Sequence, residues 1–218
     1  MPFERSSLPR WVHAFALLRD RTVTREEPGR LHSVAEDGSS YEITCPWPGT
    51  GGLASLLGDT ELSSHQGQTR LTFLGPPDES AGRELVARGW SLSDRRVLLA
   101  ALANDVEQVV SLPETATLFE APMADYDVVE IADFDATAGR GRIRFGEDFA
   151  LLGDPSITAT SNIEQFRAAI LANLAAAAAR QGLPVLFMVT SADTATGIRA
   201  ERAAGWSNAT QLTTFTRA

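Results

Sequence analysis

The 218-residue chain contains no lysine; all 19 of its basic residues are arginine. Without lysine there is no P-loop nucleotide site, no Schiff-base chemistry, no Ser-Lys dyad and no kinase-type ATP lysine. Cys45 is the single cysteine, so an internal disulfide and a cysteine-rich zinc site are excluded. His13, His32 and His65 are the only histidines and lie too far apart for a metal-binding pair on one helix. Positive charge is scarce overall, with a formal net charge of −9. Nucleic acid and anionic membranes both need clustered positive charge, so neither is expected as a partner. Long apolar runs are missing too: the longest, Val97 to Ala103, falls far short of a membrane span. The apolar stretch Trp11 to Leu18 is interrupted by His13 and has no small-residue cleavage site after it. No targeting signal is expected, and the cytoplasm is the default location, which suits one free cysteine.

A 44% apolar share with 22% charged residues indicates a packed globular protein. Ser7 and Pro9 start a helix predicted over residues 7 to 20. Leu31 to Ala35 and Tyr41 to Cys45 read as strands around the turn Asp37-Gly38-Ser39. Pro46 to Gly52 is a Pro/Gly loop with Trp47 packing on the sheet, followed by a short helix from Leu53 to Leu57 and a strand from Arg70 to Leu74. Asp78 caps a helix over 79 to 88 that ends at Gly89, and Leu92 to Leu102 is a strand. Residues 105 to 122 carry Pro113, Pro122 and several acids, and are expected as a linker between residues 1 to 104 and 123 to 218. Beyond it, Val128 to Ala132 and Gly141 to Leu152 read as strands with a turn at Thr137 to Gly139, and Arg140-Gly141-Arg142 also reads as part of a hairpin turn. Ile157 to Thr160 is a short strand, and Ser161 or Asn162 caps a long helix over 163 to 181. Val185 to Val189 is continuously apolar, as expected of a strand covered on both faces. A helix over 195 to 204, capped by Asp193 or Thr194 and ended by Gly205, and a strand from 209 to 216 close the chain.

The two halves repeat. Gln66-Gly67 recurs as Gln181-Gly182 and Gly89-Trp90 as Gly205-Trp206, at offsets of 115 and 116 residues. Each pair brackets the same strand, helix, Gly-Trp, strand order, which marks an internal duplication.

A strand, a helix ending in Gly-aromatic and a last strand resembles the end of GNAT-type acyl-CoA N-acyltransferases. The second half is similar to such a domain from about residue 126 onward, and the first half to a shortened copy. The resemblance implies an α/β fold: mixed β-sheets with flanking helices, two reduced GNAT-like copies in tandem. It implies an acyl-CoA-dependent N-acetyltransferase that takes acetyl-CoA and a small-molecule or protein amine acceptor. A catalytically inactive binding or dimerisation module of the same fold, including a homodimer, is the alternative. The strand Ile157, Thr158, Ala159 would hold the pantetheine. Ser161, Asn162, Ile163 and Gln165, on the loop and helix start, would receive the diphosphate, with Thr194 at the next helix start. Backbone N–H groups at a helix N-terminus suit a diphosphate. The family loop carries glycines there; this chain has Ile163 and Gln165, with Glu164 between them. The family's thiolate-protonating tyrosine is replaced by Glu201, and Glu130 is among the carboxylates nominated as general base, beside Asp133, Glu147 and Asp148. The first copy's loop, Pro48-Gly49-Thr50-Gly51-Gly52, keeps more glycine but has no arginine or glutamine partner.

Overall fold

The computed structural model describes residues 8–49, 52–106, 108, 110–192 and 205–217. The chain divides into two compact units: residues 1–97 with 191–193 and 210–218, and residues 98–190 with 194–209.

The first unit opens with α1 (Trp11–Leu18), which buries Trp11, Val12, Phe15 and Leu18 and leaves His13 outside. Asp20, at φ 55, ends it and turns the chain directly into β1 (Arg21–Glu27), a strand absent from the sequence reading. Its charged and threonine-rich alternation buries only Arg21, so no apolar pattern marks it. β1 pairs antiparallel with β2 (Arg30–Ala35), and β2 with β3 (Ser40–Pro46). β3 then runs parallel to β4 (Gln68–Leu74), the two joined through α2 (Gly52–Leu57) and α3 (Thr60–Ser64). Asp59 caps α3, accepting from the Leu62 N–H at 3.1 Å. Asp78 caps α4 (Glu79–Ala87) through Ser80 and Ala81, and Gly89 ends it at φ 84. β5 (Ser91–Leu102) follows, and β12 (Ser207–Arg217) lies antiparallel on β4 from Leu212 onward.

Alternation along β3 sorts two environments. Tyr41, Ile43 and Cys45 join Leu71, Phe73, Leu85, Trp90 and Phe215 in an apolar core. On the other face Glu42 is fully buried and ion-paired with Arg19 (3.1 Å), Arg21 (3.2 Å) and Arg70 (3.8 Å). Thr72 donates to it at 2.6 Å.

The second unit holds β6 (Ala116–Pro122), β7 (Asp127–Asp133) and β8 (Ala136–Phe145) as an antiparallel meander, followed by β9 (Phe149–Gly153) and β11 (Val185–Ser191). β6 falls inside the segment expected as a linker. The expected turn at Thr137 to Gly139 lies elsewhere: the chain turns at Phe134 and Asp135, both at positive φ (49 and 62) without glycine. Residues 137–142 are therefore inside β8. The expected strand Gly141 to Leu152 is two strands, bent at 146–148, where a Cβ on Gly146 would meet the Phe149 ring at 2.5 Å. The short α5 (Ala103–Val106) precedes the meander, and α6 (Ile163–Arg180) covers β7 and β8. Gly139 and Gly141 serve close approach: a Cβ at 141 would stand 2.3 Å from Ile170 Cγ2.

Each copy thus presents two antiparallel strands, a strand, a helical crossing and a second strand parallel to the one before. The two Gly-Trp pairs play the same part: Gly89 and Gly205 sit at φ 84 and 90, and Trp90 and Trp206 are buried. The expected helix over 195 to 204 lies outside the described residues.

Candidate functional site

β9 is buried nearly throughout because both its neighbours and α6 cover it. It pairs parallel with β11 from Phe149↔Val185 to Gly153↔Val189. There the pairing stops. Pro155 has no N–H to donate, and the next residues turn toward β8: β10 (Ser156–Ile157) pairs with Arg140 and Gly139. The Thr158 and Ala159 N–H groups both donate to the Ala138 carbonyl, at 2.9 and 3.0 Å. β11 meanwhile continues to Thr190 and Ser191. The two parallel strands cease to pair after Gly153 and Val189, where the chain after β9 follows β8 instead.

One side chain joins the two strands just past the last ladder pair. Asp154 Oδ2 accepts from Thr190 Oγ1 at 2.7 Å, and Asp154 Oδ1 from Arg167 Nη1 at 2.6 Å. Neither Asp154 nor its partners is among the residues nominated from sequence. The available signal is the Gly-Asp-Pro step that ends the apolar run 149–152, a carboxylate placed at a strand end by a residue that stops the ladder.

The nominated cofactor residues follow β9 along the chain. Ile157 is half-buried against Gly139, and the Thr158 hydroxyl donates to the Thr137 carbonyl at 2.6 Å. Ala159 follows, and Ser161 is exposed. Asn162 is the N-cap of α6 at φ 56, with no side-chain cap bond; its carbonyl accepts from the Phe166 N–H at 2.9 Å. Ile163, Glu164 and Gln165 therefore leave the first helical N–H groups without intrahelical partners. Ile163 is exposed, and the Gln165 amide donates to the Ser111 carbonyl at 2.5 Å. Glu130, on β7, accepts from Thr137 Oγ1 at 3.0 Å, so one threonine links it to Thr158. Glu201 and Thr194 lie outside the described residues.

The first copy also has a parallel strand pair. β3 and β4 pair without interruption from Ser40↔Gln68 to Pro46↔Leu74. Just past the ladder, Trp47 stacks on Phe73 with ring centroids 4.3 Å apart. A cavity of about 420 Å³ opens there, lined by Arg30, Cys45, Trp47, Gly49 and Gly52 among others. Burial pushes the Cys45 thiol up to about 12, which leaves it a thiol and a poor nucleophile at neutral pH. Among the described residues no group of three or more His, Cys, Asp and Glu is placed to hold a metal ion, and no helix is long and apolar enough to cross a membrane.

Solved structures give this arrangement its class. A functionally unknown conserved protein from Staphylococcus epidermidis superposes with a TM-score of 0.69 at 9% identity, over 91% of this chain and 94% of that one. A GCN5-related N-acetyltransferase from Kribbella flavida gives 0.64 at 13% identity, over 93% and 91%. A tandem GNAT protein from the clavulanic acid biosynthesis pathway gives 0.63 at 13% identity, over 89% and 81%. No family model and no curated protein matches the sequence. The chain has the fold of the GNAT acetyltransferases: α/β, with mixed sheets, flanking helices and two reduced copies in tandem.

Proposed function

We propose that the second copy is an acyl-CoA-dependent N-acyltransferase, with acetyl-CoA as the first donor to test. The observation that carries this reading is the parting of β9 and β11 after Gly153 and Val189. Unpaired strand edges at that point match the amide groups of a pantetheine arm. The neutral amine of the acceptor attacks the thioester carbonyl carbon, its proton passes to a carboxylate, and the CoA thiolate leaves and is protonated. Asp154 is the carboxylate just past the last ladder pair and takes the position nearest the chemistry; Glu130 stands behind Thr137. The diphosphate end fits less well. The free N–H groups at the start of α6 favour an anion, and Glu164 opposes it.

A second reading, a catalytically silent binding or dimerisation module, is favoured by the Thr190–Asp154 bond that joins the two strands just past the ladder.

Acetyl-CoA titration separates the two. Under the first reading it raises the melting temperature and slows hydrogen exchange at residues 154–159. Glu164→Gln then tightens binding about 2- to 5-fold, the effect of removing one like charge beside an anion at a helix N-terminus. A melting temperature that stays constant at saturating acetyl-CoA leaves the second reading standing.

A further inference from the structure

We propose that the first unit binds a small aromatic carboxylate in the cavity of about 420 Å³ that the β1–β2 turn, the end of β3 and α2 line together. The site lies in the first copy, and the inference does not depend on acyl transfer.

The wall is built from stiff, apolar pieces. Pro28 and Gly29 make the turn from β1 to β2, and Pro46, Trp47 and Pro48 carry the chain out of β3. Leu56, buried on α2, and the uncharged Cys45 thiol add further apolar surface. The volume lies within the range of small-ligand sites, about 300–1,000 Å³. Trp47 is fixed in place by stacking on Phe73 at 4.3 Å and 17° and by edge contact with Phe215 at 6.2 Å. It is nevertheless only half-buried. A fixed, half-exposed indole beside proline rings suits another flat ring.

Arg30 sets the charge. It is the only charged residue among the described residues that line the cavity. Its side chain makes one hydrogen bond there, to Ser55 Oγ at 3.5 Å, a long contact. Among the described residues no carboxylate lies within ion-pair distance of it, in a chain with 28 acids against 19 arginines. A guanidinium presents five N–H donors in a fork that matches a carboxylate, so most of the Arg30 donors are unmet by protein. An apolar wall with one unmatched cation is the complement of an apolar acid.

The loop disfavours the other anion that its glycines suggest. Pro46 and Pro48 have no N–H, and α2 has only six residues, so a diphosphate would find few backbone donors. A carboxylate on a ring needs only the arginine and the apolar wall.

The test uses the full chain and three compounds: phenylacetate, phenylacetamide and acetate. The amide keeps size and shape but loses the charge; acetate keeps the charge but loses the ring. The four tryptophans give separate indole N–H resonances, and that of Trp47 is the one missing from Trp47→Phe. At constant pH, phenylacetate shifts the Trp47 resonance saturably and leaves that of Trp206, which does not line the cavity, unmoved. Phenylacetamide and acetate each bind about tenfold or more weaker, as expected for the loss of a charge-assisted pair and of a buried ring. Arg30→Gln lowers the affinity for phenylacetate to that for the amide and leaves amide binding unchanged. A Trp47 signal that phenylacetate does not move overturns the proposal. Equal affinity for the acid and its amide, or for the acid and acetate, does so as well. So does undiminished phenylacetate binding by an Arg30→Gln variant whose indole signals match the wild type.

Discussion

At the scale of single residues, the strongest electrostatic commitment is Glu42. Burial alone would raise its pKa, but Arg19 and Arg21, with the Thr72 hydroxyl, outweigh it and hold the carboxyl at about 2 against an ordinary 4.5. A depressed folded-state pKa means that the stabilisation is complete above the unfolded value and is lost as pH falls toward the folded one. Glu42 therefore contributes about 3 kcal/mol at neutral pH. That contribution declines between about 4.5 and about 2. Urea midpoints measured from pH 6 down to about 2 are expected to fall across that window. Glu42→Gln should cost about 3–5 kcal/mol at neutral pH, because Arg21 stays buried with its carboxylate gone, and should flatten the acid limb. A variant as stable as the wild type would count against the ion cluster. This cluster is invisible in the linear pattern, where Glu42 is one acid inside an apolar strand. The same holds for the candidate site. The start of α6 is legible from Asn162 and Glu164, whereas the strand expected over Ile157 to Thr160 is only Ser156–Ile157, because the Thr158 and Ala159 N–H groups both turn onto the Ala138 carbonyl. Asp154 is not legible, because its role comes from Thr190 and Arg167, brought to it by other elements.

At the scale of elements, caps are legible and edge strands are not. Asp78 and Gly89 bound α4 through local hydrogen bonds that need no tertiary context. β1 and β6 carry mixed or exposed residues at the ends of their pairings, so burial imposes no period on them. The glycines of β8 read locally as turn signals, yet their cause lies on α6, where Ile170 and Leu174 press on Gly141. The close fit is testable. Gly141→Ala forces a methyl into Ile170 Cγ2, an atom on a branched Cβ that cannot swing aside alone, and should cost about 1–3 kcal/mol. Ile170→Ala opens a cavity and should cost about 2–5 kcal/mol. Chemical denaturation of the double variant is expected to show less loss than the two single losses together, since the added methyl fills part of the space vacated. Strict additivity would place the strain elsewhere.

At the scale of the whole molecule, the repeat in the sequence and the unit in the fold do not coincide. The second copy ends in β12, yet from Thr210 onward that strand belongs to the first unit. It pairs with β4 from Leu212↔Leu74 to Arg217↔Thr69. Phe215 lies edge-on to Phe73 at 6.1 Å and to Trp47 at 6.2 Å, inside the first unit's core. A fragment of residues 1–104, the whole first copy by the sequence repeat, therefore lacks part of its own core. Losing Leu212 and Phe215 removes about 3–6 kcal/mol of apolar burial. Against a typical domain stability of about 5–15 kcal/mol that loss alone brings the fragment close to unfolding. The absent strand also exposes the edge of β4, an invitation to pair with other chains. The fragment is expected to give no cooperative urea transition and no near-ultraviolet circular dichroism from Trp47 and Trp90. A peptide of residues 205–217 added in excess should restore both signals, with a midpoint that rises with peptide concentration. Cooperative unfolding of the fragment by itself would make the sequence repeat the folding unit and reduce β12 to an accessory of the first sheet.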